Sequence, residues 1–127
     1  MSTDPRAAAE RESIRSTLAA AAALDALQRP GAARGLRRQA ADLTVAHVLG
    51  AADDASSPRA DLAAAAVALF LRPDDDLGAQ VAARLVASGL FSGPTEFRLA
   101  AMVGARPPSP DLGAWADGQR LLGTFLE

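Results

Sequence analysis

The chain has no cysteine, lysine, asparagine or tyrosine, and only one histidine, one tryptophan and one isoleucine. Without cysteine there can be no disulfide, thiolate metal ligand or thiol nucleophile. Without lysine there is neither Schiff-base chemistry nor a P-loop lysine. Aromatic residues make up 4% of the sequence, and with β-branched residues also scarce, a sheet has little to build on. The longest uncharged apolar run, residues 62–71, is roughly half of the ~20 residues a bilayer-crossing helix requires. The start, MSTDPRAAAERES, keeps its charges and has no apolar stretch of a secretory signal. A soluble, cytoplasmic protein with no membrane association is therefore expected. A net charge of −2 creates no field that would draw the whole molecule to nucleic acid.

Alanine fills about a quarter of the sequence and leucine comes next. Both are strong helix formers. The 127 residues are expected to form one all-α domain, a compact bundle of about six helices. Its core would be poor in side-chain volume, so helices must approach closely across alanine faces to exclude water. Arginine supplies all the positive charge, which together with the alanine reflects a GC-rich genome rather than a function.

Proline marks the boundaries. Ser57-Pro58, Gly93-Pro94 and Ser109-Pro110 each put a capping residue before a proline, a helix-start signal. Arg29-Pro30-Gly31, Arg72-Pro73 and Arg106-Pro107-Pro108 are read as stops. Helices are predicted at about 6–28, 33–52, 58–72, 75–89, 94–105 and 110–126. Residues 1–9 are read as a flexible N-terminal tail overlapping the first start. Asp74, Asp75 and Asp76 suit the start of the fourth helix, where carboxylates meet unpaired amides, and Gly89 suits its end.

DLTVAHVLGA (42–51) echoes EFRLAAMVGA (96–105), with identities at Ala46/Ala100, Gly50/Gly104 and Ala51/Ala105. The echo reads either as a tandem duplication of a three-helix unit or as chance similarity in an alanine-rich chain. Both segments carry apolar residues on two faces, so helices 2 and 5 are predicted to be central.

The last predicted helix is one-sided. Trp115, Leu122, Phe125 and Leu126 lie on its apolar face, with Asp117, Arg120 and Thr124 opposite. Gly113, Gly118 and Gly123 weaken it as an autonomous helix, so it needs something to dock against. That is either this domain's own core, a second copy or another protein.

Chemistry-bearing residues are few. His47 shares a stripe with Leu36, Ala40 and Leu43, with no carboxylate three or four residues away, and is read as a hydrogen-bonded core histidine. Asp53-Asp54 and Asp74-Asp75-Asp76 are read as caps and loop solubilisers; neither has an ion-wrapping pattern, so no metal or cofactor is expected. Arg34, Arg37 and Arg38 form a basic patch at the start of the second helix, where cations oppose the dipole. An anion nearby would relieve this: a phosphate, or Asp42 four residues after Arg38.

Two families share short motifs with the chain. Residues 69–103 resemble the ribbon-helix-helix DNA-binding and antitoxin families in Pro73 to Asp76, Ser88-Gly89-Leu90-Phe91 and Thr95-Glu96-Phe97. The resemblance implies a strand at 65–71 pairing with a second chain. That ribbon, AAVALFL, carries no polar side chain to read base edges. PTEFRLAAMV is similar to a helix of the Clp ATPase N-terminal domain, a tandem helical repeat that binds substrates and adaptors. That similarity rests on Thr95-Glu96 and aligns Asp42 with Glu96.

The residues favour a non-enzymatic helical interaction module that binds another protein or self-associates through the Trp115 face. The alternatives are a ribbon-helix-helix-like DNA-binding or antitoxin regulator centred on residues 65–105, and a small-molecule binder or enzyme using His47. Nucleic acid is the less favoured partner. The third class requires His47 beside an Asp or Glu in an open pocket.

Overall fold

The structure, a computed structural model, describes residues 5–51, 58–72 and 75–104. Among these residues every regular element is a helix: α1 (Pro5–Ala26), α2 (Pro30–Gly50), α3 (Arg59–Phe70), α4 (Leu77–Ala87) and α5 (Gly93–Gly104). The predicted sixth helix, with Trp115, Leu122, Phe125 and Leu126, lies outside the described residues, as do Asp53, Asp54 and Asp74. The chain divides into two compact units, Met1–His47 and Val48–Glu127.

In the first unit, α1 and α2 form an antiparallel pair. Arg37 on α2 reaches Asp25 late in α1, whereas His47, further along α2, reaches Glu10 early in α1. Ile14 and Ala21 are buried on α1, and Leu18 and Leu24 are half-buried on the same stripe. The helix begins at Pro5, so residues 5–9, expected as tail, are helical. The turn is short because α1 ends in a left-handed residue. Gln28 has φ 59°, its N–H donates to the Asp25 carbonyl (3.0 Å), and the Arg29 N–H donates to that of Leu24 (2.9 Å). This crossed pair of bonds is the Schellman arrangement.

Pro30 starts α2 instead of stopping α1. Its ring presets φ and its missing N–H would have had no intrahelical partner at a first turn anyway. The buried stripe of α2 also differs from the expected one. Ala33, Arg37, Ala40, Ala41, Thr44, Val45, His47 and Val48 are buried, while Leu36 and Leu49 are half-buried and Leu43 is exposed. Alanine on every face hid the phase: with so many small positions, the few leucines mark the edges of the stripe rather than its centre.

In the second unit, α3, α4 and α5 pack pairwise against one another. The central helix is α3, not α5. Residues 63–68 and Phe70 are all buried, so α3 is covered around its whole circumference. Its sequence, RADLAAAAVALF, has no polar side chain after Asp61 to face water. Against it α4 sets Leu77, Val81, Ala82 and Leu85, and α5 sets Leu99 and Met102. The segment 62–70 is thus helix, not strand, and the ribbon that the antitoxin resemblance implied does not form. About six helices were expected, with duplication as one of two readings of the echo; five helices are described, and the two echoing segments each end a helix at a glycine.

Local chemistry sets the boundaries. Pro58 is itself the extended N-cap of α3 (φ −61°, ψ 137°), its carbonyl accepting from Asp61 and Leu62; Ser57 lies outside the described residues. The helix α4 spans 77–87 instead of 75–89. Asp75 accepts the Leu77 N–H at 3.1 Å, Gln80 donates to Asp76 at 3.0 Å, and Gly89 follows the end at φ 73°. For α5 the cap is Ser92, one residue before the expected Gly93, its hydroxyl 3.1 Å from that of Thr95. After the last turn of α2, Arg59 donates from Nε and Nη2 to the Ala51 carbonyl at 3.2 and 2.7 Å. A cation is favourable where a helix leaves its carbonyls unpaired.

Candidate functional site

The first unit holds the chain's most distinctive polar arrangement. His47 sits 3% exposed, and its Nδ1 lies 2.9 Å from an Oε1 of Glu10. A carboxylate only accepts, so the ring carries its hydrogen on Nδ1 and donates it. The expected hydrogen-bonded core histidine is therefore found, with a partner from the other helix. Glu10 escaped the sequence reading because only same-helix neighbours were considered. The turn at Gln28 held the signal: His47 lies about as far after it as Glu10 lies before it, so antiparallel pairing brings them level.

Beside this pair is a cavity of about 360 Å³ lined by Arg6, Ala9, Glu10 and Ser13 of α1 and by Leu43 and Ala46 of α2. The α1 residues recur every three or four positions and so share one helix face. Arg6 and Glu10 form an i,i+4 ion pair at the cavity, with Nε and Oε2 3.8 Å apart. Ala9, Leu43 and Ala46 form the apolar part of the wall, and Ser13 adds a hydroxyl. This explains the exposure of Leu43, which borders an open cavity instead of the core.

The three arginines of the basic patch separate. Arg37 is buried and its Nη1 lies 3.0 Å from an Oδ2 of Asp25. The anion beside this guanidinium is thus a side chain of α1. Arg34 and Arg38 are exposed on the same helix. Burial of Arg37 costs less than the bare charge suggests, because its long apolar stem fills the interhelical space while its head meets a carboxylate.

In the second unit the notable surface is on α5. Gly93, Pro94, Phe97, Ala100, Ala101 and Gly104 are all exposed, and Phe97 is 78% exposed. Leu90, just before the helix, is 51% exposed. The face carries no charge. Arg98 leaves it sideways to meet Asp61 of α3 at 3.1 Å. The fifth helix was expected to be central because its apolar residues lie on two faces; only one of those faces is buried, with Leu99 and Met102, and Phe97 lies on the exposed one.

Among the described residues, no group of three His, Asp or Glu side chains is placed to hold a metal ion, and no helix is long and apolar enough to cross a membrane. No protein-family model, no curated protein and no solved structure matches the chain.

Proposed function

We propose that the chain is a helical interaction module, binding through uncharged helix faces to a protein surface, in the first instance a second copy of itself. The observation that carries this reading is the outward face of α5. A phenylalanine held 78% exposed between glycine, proline and alanine positions is a large apolar group that no other described residue of its unit covers. Small neighbours let another helix approach closely, and buried aromatics contribute most to contacts between proteins. The apolar set Trp115, Leu122, Phe125 and Leu126 belongs to the same reading as a second contact face, and a cytoplasmic location goes with it.

The test is sedimentation velocity on the full chain beside Phe97→Ser and Trp115→Ala. Self-association of the wild type, weakened by either substitution while the helical circular dichroism spectrum is kept, supports the module. A wild type that stays monomeric at all concentrations, or variants that sediment and melt as it does, overturns it.

The echoing segments fit a duplicated unit. Val45 and Leu99, and Val48 and Met102, are buried in matching places, whereas Leu43 and Phe97, Ala46 and Ala100, and Gly50 and Gly104 are exposed. Thr44 and Arg98, and His47 and Ala101, break the match.

A second reading, for the first unit, is a small-molecule site. It is favoured by the His47–Glu10 pair standing beside an open cavity. Binding of any small amphiphile that shifts amide resonances of residues 6–13 and 43–47 supports it, and silence of those resonances counts against it.

A further inference from the structure

The cavity in the first unit favours one kind of ligand by its chemistry, and this inference rests on the small-molecule reading. We infer that it takes a small zwitterion with an apolar body, a free α-amino acid bearing an aliphatic side chain. Charges of both signs stand on one wall: the Arg6 guanidinium and the Glu10 carboxylate, 3.8 Å apart on the same face of α1. A ligand bearing only an ammonium would meet Glu10 but be opposed by Arg6. A ligand bearing only a carboxylate would meet Arg6 but be opposed by Glu10. An ammonium and a carboxylate on one carbon satisfy both, each by a charge-assisted hydrogen bond. The hydroxyl of Ser13, one turn beyond Glu10, is a further acceptor for the ammonium.

The remaining wall is Ala9, Leu43 and Ala46, which suits a branched aliphatic group and gives the exposed Leu43 an apolar contact. A volume of about 360 Å³ lies at the lower end of the range for small-molecule sites. His47, 3% exposed and absent from the lining, is a positioning residue. It holds Oε1 of Glu10 and so leaves Oε2, the oxygen nearer Arg6, on the side of the second charge.

The experiment is a two-dimensional ¹⁵N NMR titration of the full chain with three probes. These are L-leucine, 3-methylbutylamine (leucine without its carboxylate) and 4-methylpentanoate (leucine without its ammonium). Leucine is expected to shift the amides of residues 6–13 and 43–47, and to bind about tenfold more tightly than either fragment, the weight of one charge-assisted bond. Glu10→Gln keeps an acceptor oxygen for His47. It is expected to weaken leucine and the amine by about tenfold and to strengthen the carboxylate, which no longer meets an opposing charge. Fragments that bind as tightly as leucine overturn the zwitterion while the cavity reading stands. If none of the three probes shifts those two stretches, both readings fall.

Discussion

A Cβ added to Gly78 would sit 2.6 Å from Cδ2 of Leu71 and 3.1 Å from both the Cα of Leu71 and the carbonyl oxygen of Phe70. The first turn of α4 thus lies against the last residues of α3 with no room for a methyl group. Gly78→Ala gains helix propensity of about 1 kcal/mol but must displace a side chain and press on backbone, an overpacking cost of about 1–3 kcal/mol. A net loss of about 1 kcal/mol is expected in urea unfolding. Gly35, with nothing within 4 Å of such a Cβ, should gain stability as alanine. Equal responses at the two glycines would contradict this packing.

Gln28 offers the opposite sign. Its φ of 59° is the conformation in which a side chain is strained and glycine is not. Gln28→Gly should raise stability by about 0.5–1 kcal/mol, seen as a higher melting temperature with an unchanged circular dichroism spectrum. A lower melting temperature would mean that the turn is not left-handed.

Arg37 and Asp25 differ in what their removal exposes. The side chain of Arg37 is 9% exposed and that of Asp25 35%. Arg37→Ala removes both packing and charge, while Asp25→Ala leaves a buried cation without this carboxylate. Each should destabilise by about 1–3 kcal/mol, and the double variant should lose less than the two combined. A double-mutant cycle that closes to zero would deny the coupling.

Arg59 ties the carbonyl of Ala51 with two donors. Arg59→Ala should cost about 1 kcal/mol and speed amide exchange in the last turn of α2. Arg59→Lys should recover only part of this, since an ammonium cannot present two parallel donors. Unchanged exchange in both variants would remove the capping role.

The helical class and most boundaries could be read from residue types. Alanine and leucine dominate, Gly89 closes α4, and the acidic pair before Leu77 opens it. What could not be read was orientation. In RADLAAAAVALF every residue after Asp61 is apolar, so no periodicity separates an inner from an outer face. In α2 the alanines at 33, 40 and 41 lie inside while Leu43 lies outside, the reverse of what bulk alone suggests. Of the candidate site, His47 was recognised as a bonded core residue. Its partner Glu10 was hidden, because contacts across a hairpin depend on turn geometry, and that geometry hinged on a glutamine in a left-handed conformation. Pro30 was misread for a related reason: the same residue can end one helix or begin the next, and only the turn before it decides.

The alanine-walled interior of α3 carries an evolutionary consequence. Residues 63–68 are at most 4% exposed, so added carbon there would press on the neighbouring helices instead of reaching water. Descendants of this gene should therefore tolerate glycine or serine there far more readily than leucine. Sequence drift would be funnelled onto the outer surfaces, leaving α3 as a slender axle whose bulk stays the same while everything around it changes.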